Sequence, residues 1–118
     1  MGATHFLARR IGEARARAYA LTGVPVTAED GARMGLIAEC VDDDRLMARA
    51  LELAQGLAAG PREAFLAVRE LMASACTSSL ADQLEREAAA QGRLADSPDF
   101  LEGVMAFREK RPAKFGQR

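Results

Sequence analysis

The chain has 118 residues, a formal net charge of -1 and only 5% aromatic side chains. That length serves one modest core rather than two, and mixed charge of nearly zero sum gives no field to draw the chain to nucleic acid or to an acidic membrane. No apolar run approaches the ~20 residues that span a bilayer and no charged-then-apolar leader opens the chain, so a soluble protein of the cytoplasm is expected, or of an organelle matrix after removal of a leader.

The first helix is read over residues 13–21, bracketed by Gly12 and Gly23, with Ala14, Ala18 and Leu21 at helical spacing. Pro25 then removes a donor and restricts Val24, so the chain must extend before Thr27. Thr27 can cap a very short second helix that carries Glu29 and Asp30 in its first turn and meets a left-handed stop at Gly35. Residues 36–41 alternate Ile37, Glu39 and Val41 against Leu36, Ala38 and Cys40, which predicts one short strand with no partner strand in the chain.

Asp42, Asp43 and Asp44 precede an apolar stripe of Leu46, Ala50, Leu53, Ala54 and Leu57 that ends at Gly60, the third helix. Pro61 suits the first position of a fourth, whose apolar face is Phe65, Val68, Leu71 and Met72. Ser79, with Asp82 and Gln83 behind it, opens a longer fifth helix lined by Leu80, Leu84, Ala88 and Leu94. Ser97 caps the last helix with Pro98 in its first turn, and Phe100, Val104 and Phe107 form a stripe running to about Arg111 and Pro112.

Chemistry is sparse. Cys40 and Cys76 lack any metal-ligand spacing and read as buried or half-buried thiols. His5 is the one histidine and has no companion for a nucleophilic triad, so it reads as a surface or packing residue. Glu85 and Glu87 point apart on a helix, and the Asp42 to Asp44 run is a helix-capping feature rather than a carboxylate pair. No Walker or dinucleotide glycine pattern occurs. The end of the chain stands out: Phe107, Arg108, Lys110, Arg111 and Lys114 set an aromatic ring among cations, which suits an aromatic base with phosphates, although a helix C-terminus attracts cations anyway.

Residues 97–111, S-P-D-F-L-E-G-V-M-A-F-R-E-K-R, resemble the S-x-D-x-x-E-G-x-x-A-F-x-E-K-R ending of enoyl-CoA hydratase/isomerase (crotonase) family subunits. Residues 2–12, G-A-T-H-F-L-A-R-R-I-G, resemble the family's G-[GA]-T-x-x-L-x-R-x-[IV]-G stretch. Residues 18–23 and 27–37 resemble its L-T-G-x-x-x-x-A-x-x-A-x-x-x-G-L-[IV] block, in family order. The departures are Arg69 where relatives commonly have Lys, and Gly31 where they commonly have Ala.

The resemblance implies a mainly α segment: the C-terminal helical region of the crotonase fold, with at most one short strand and without the repeated ββα N-terminal core. The whole chain, 1–118, is then a single segment, with core-proximal helices and strand over about 1–41 and a helical oligomerisation part over about 42–118. Met1 falls inside a family motif, so the chain reads as a piece of a longer subunit. The oxyanion-hole amides and acidic catalytic residues of relatives lie in the absent core, which leaves no catalytic and no metal residue here. Phe107 and Lys110 would meet the adenine and the phosphate of CoA bound to a neighbouring subunit. An acyl-CoA thioester is the implied substrate, no bound cofactor is needed, and a trimer or dimer of trimers is the implied assembly. A stand-alone helical oligomerisation module without catalysis is the second reading.

Overall fold

A computed structural model describes residues 2–116. Among the described residues are seven α-helices and no strand, and the chain forms two compact units, Met1–Met47 and Ala48–Arg118. The expectation of one modest common core is therefore corrected. Among the described residues burial is confined to a few positions in each unit, mostly alanines with Ile11 and Gln83, and no large side chain is fully buried.

In the first unit α1 (Ala3–Ile11) packs on α2 (Glu13–Thr22). Gly12 makes the joint at φ 82 and ψ 154, a region only glycine enters freely. Its amide donates to the Ala8 carbonyl at 3.0 Å and its own carbonyl accepts from Ala16 at 3.1 Å. Ile11 and Ala16 are buried across this turn. The sequence reading missed α1 because its start carries no capping side chain: Gly2 stands there in a left-handed conformation.

Helix α2 stops at left-handed Gly23, whose amide reaches Tyr19. Helix α3 (Ala28–Arg33) follows the expected cap, with the Asp30 amide donating to Thr27 Oγ1 at 3.1 Å. The expected strand is absent. The amides of Leu36 and Ile37 both turn back onto the Gly31 carbonyl, at 2.8 and 3.4 Å, so residues 36–41 form bends and coil. Alternation alone does not hold a strand when nothing among the described residues pairs with its edge.

In the second unit, α5 (Arg62–Ala75) packs on α6 (Leu80–Ala95), and α6 touches α7 (Pro98–Glu109). Helix α4 (Leu46–Ala58), whose first two residues belong to the first unit, buries no residue, so its apolar stripe lies open. Pro61 is the residue just before α5 rather than its first, a one-position shift of the kind helix ends commonly show. Ser79 and Ser97 cap as expected, accepting from the amides of Asp82 at 3.1 Å and Phe100 at 3.2 Å.

Alanines make the contacts: Ala67, Ala90 and Ala106 are buried, while Leu80, expected on the inner face of α6, is 76% exposed. Where α5 meets α6 the buried polar side chain is Gln83. Its Nε2 donates to the Leu71 carbonyl at 3.1 Å and to Glu87 at 3.3 Å, and its oxygen accepts from Ser74 Oγ at 3.0 Å. A buried amide so satisfied fixes the register of two helices that small side chains alone would leave free to slide. Cys40 and Cys76 are exposed, which corrects the expectation that they are buried or half-buried.

Candidate functional site

Helix α7 and the chain after it carry the aromatic and basic cluster. The helix ends in a turn in which the Lys110 amide donates to Phe107 and the Arg111 amide reaches back to Ala106 at 3.1 Å. This is a Schellman closure, whose left-handed position glycine usually fills. Here Lys110 fills it, at φ 53 and ψ 40, the one positive-φ residue other than glycine among the described residues.

Beyond the turn, the tail runs back along α7. Arg111 forms a two-pronged ion pair with Glu102, Nη1 to Oε1 at 2.6 Å and Nη2 to Oε2 at 3.0 Å, and its Nε meets Glu109 at 2.6 Å. Glu102 Oε1 also accepts the Lys114 amide at 2.7 Å, and Asp99 Oδ1 accepts the Gly116 amide at 3.0 Å. The Phe115 ring lies over Gly103. Planar fork-to-fork pairing of this kind fixes direction as well as charge.

The electrostatic consequence is sharp for one group. The Arg111 guanidinium, with the Lys114 amide behind it, holds the Glu102 carboxyl down at about 2 from an ordinary 4.5. Arg111 is in turn raised above its ordinary value by Glu102 and then Glu109.

The cluster seen in the sequence therefore divides. Arg111 is engaged by two carboxylates, while Phe107 stands 85% exposed and the Lys110 side chain has no hydrogen-bond or ionic partner among the described residues. The two residues expected to meet a ligand sit three apart at one helix end, one turn of backbone apart. The sequence reading missed Glu102 as the centre of the tail fastening. Its signal was an acid and a base nine residues apart across a helix end, a separation that no local spacing rule joins.

Other groups stay dispersed. His5 is exposed on α1 and takes a hydrogen bond from Arg9 one turn on. Glu85 and Glu87 are both exposed on α6. Among the described residues no three His, Cys, Asp or Glu side chains gather as a metal site, and no helix is long and apolar enough to cross a membrane. Open apolar grooves also occur among the described residues. One of about 520 Å³ lies along α5 and α6 past Val68, Met72 and Leu94. Another, of about 510 Å³, lies between α1 and α2 past Leu7, Ala20 and Leu21.

A mainly helical chain built of such open units belongs to a recognisable class. The family described as enoyl-CoA hydratase/isomerase matches it along residues 1–118, and the chain belongs to that family. It is 44% identical over 117 residues to a protein of Rhodobacter capsulatus named "Probable enoyl-CoA hydratase", covering 99% of this chain and 46% of that protein. It is 38% identical over 114 residues to the 1,2-epoxyphenylacetyl-CoA isomerase of Escherichia coli, covering 97% of this chain and 44% of the relative. The crystal structure of an enoyl-CoA hydratase from Bacillus anthracis superposes with a TM-score of 0.89 at 30% identity, over 97% of this chain and 44% of that one. The chain thus spans less than half the length of the relatives it matches. That share carries the family and the crotonase fold; it gives no support to the C-terminal placement expected from the sequence.

Proposed function

We propose that the chain is the helical part of an acyl-CoA-binding enoyl-CoA hydratase/isomerase subunit, taken from its C-terminal side. In this reading it lends helices to the CoA pocket and to contacts between subunits, and it carries no catalytic group of its own. The observation that carries the reading is the end of α7, where an exposed aromatic ring is followed three residues on by an ammonium with no partner among the described residues. A flat apolar face and a cation three residues on match the chemistry of an adenine and a phosphate, the first by stacking and the second by charge-assisted hydrogen bonding.

The remainder of the subunit would supply the reaction. Enolate-like charge at the thioester carbonyl would be held there by backbone amides, and the substrate would be a CoA thioester with no bound cofactor. The C-terminal placement rests on the family-like order of the sequence motifs, above all the likeness of residues 97–111 to the family's ending. Under the same reading residues of about 1–41 lie next to that core, those of about 42–118 face other subunits of a trimer or dimer of trimers, and the protein works in the cytoplasm.

A second reading, a stand-alone helical oligomerisation module, is favoured by the exposed stripe of α4, which needs cover whatever the ligand. One titration separates the two. With CoA as the probe, calorimetry is expected to show binding that falls about tenfold in Lys110→Ala, the loss of a charged hydrogen bond to phosphate. It should also show no turnover of a short enoyl-CoA by the chain alone. Binding absent from the wild-type chain, with a stable oligomer present, would favour the module; turnover that survives purification would mean that catalytic groups have been overlooked.

A further inference from the structure

We propose that Glu102 is a positioning residue for the CoA contact: by gripping Arg111 and the Lys114 amide, it holds Lys110 in its left-handed turn at the end of α7. This rests on the reading of Phe107 and Lys110 given above. A lysine at a position that favours glycine persists only where its surroundings over-determine the backbone. Those surroundings are on view. The Arg111 fork closes on Glu102 at 2.6 and 3.0 Å, the Lys114 amide closes on the same carboxylate at 2.7 Å, and the Gly116 amide closes on Asp99 at 3.0 Å.

Each fastening joins a residue beyond Lys110 back to α7, so the tail is turned back and the turn cannot unwind into a further helical residue. Glu102 is the hub, because one carboxylate takes three of the five described links from α7 carboxylates to the returning tail, the others going to Glu109 and Asp99. The side chain that would meet phosphate has no partner among the described residues, while its neighbour Arg111 is committed to holding the turn. Division of labour between adjacent cations follows from their shapes. The planar guanidinium suits a bidentate lock, and the compact ammonium suits a phosphate approached from solvent.

The test uses the 118-residue chain with two readouts. Carbon chemical shifts of Lys110 report its backbone conformation without any ligand, and calorimetry with CoA reports the contact. Glu102→Gln, which keeps shape and removes charge, is expected to move the Lys110 shifts away from left-handed values while amides in the middle of α7 stay protected. It is also expected to weaken CoA about tenfold. Arg111→Lys, which keeps charge and loses the fork, should fall between wild type and Glu102→Gln. In the double variant with Lys110→Ala the losses should fail to add, since both remove one contact. CoA affinity lost in Lys110→Ala but kept in Glu102→Gln, additive losses, or unchanged Lys110 shifts would each overturn the inference while leaving the CoA reading intact. Equal affinity of wild type and Lys110→Ala, or none in either, would instead overturn the CoA reading and with it the purpose assigned to the turn.

Discussion

At the scale of single residues, the tail fastening makes the chain's behaviour in acid specific. The Glu102 carboxyl is held at about 2 rather than 4.5, first by its hydrogen bond from Arg111 and then by that from the Lys114 amide. A depressed carboxyl stabilises the folded state above its ordinary value and loses that contribution as pH falls through the folded one. The fastening should therefore be intact above about pH 4.5 and open progressively towards pH 2. Carboxyl-carbon resonances followed through an acid titration check this. A Glu102 midpoint in the ordinary glutamate range of about 4.3 would show the ion pair to be absent in solution. The groups are partly exposed, so added salt should raise the midpoint as it screens the pair.

At the scale of the element, the caps were the most legible feature and the strand the least. Thr27, Ser79 and Ser97 each accept the amide three residues on, since a hydroxyl before a helical run has one nearby donor to satisfy and the pattern is local. Helix α1 lacked such a residue and went unread, although Arg9 and Arg10 in its last turn suit the negative end of a helix dipole. The run at 36–41 misled because period-two alternation says which faces differ and nothing about whether an edge is paired.

Helix α3 offers a direct test of local reasoning. Gly31 is buried within it without a positive φ, and a methyl group there would meet the Ile37 side chain at 3.6 Å, an ordinary contact. An alanine thus fits at this position. Gly31→Ala should stabilise the first unit by about 1 kcal/mol through helix propensity, read as a higher midpoint in thermal or urea unfolding. A lower midpoint would mean that the Ile37 contact is tighter than it looks.

At the scale of the whole molecule, the balance of buried and open surface decides how the chain behaves. Leu46, Met47, Leu51 and Leu57 on α4 and Met72 and Leu80 in the second unit are all exposed, while the described buried positions are mostly alanine. Apolar surface of that extent seeks cover. The purified chain alone is expected to associate in light scattering and to bind an apolar dye, and to do so less once joined to the rest of a family subunit. A monodisperse monomer that ignores the dye would show that these faces are tolerated in water.

The sequence by itself determined the family, the helical character and three of the caps, because contiguous motifs and local hydrogen-bonding rules act within a few residues. Only the tertiary structure decided that residues 36–41 fold back onto Gly31, that the chain forms two units with alanine contacts, and that Arg111 is bound to Glu102 while Lys110 is not. Each of those outcomes depends on where the backbone turns and which neighbours it finds. A charge pair nine residues apart becomes a pair only after a left-handed lysine has reversed the chain.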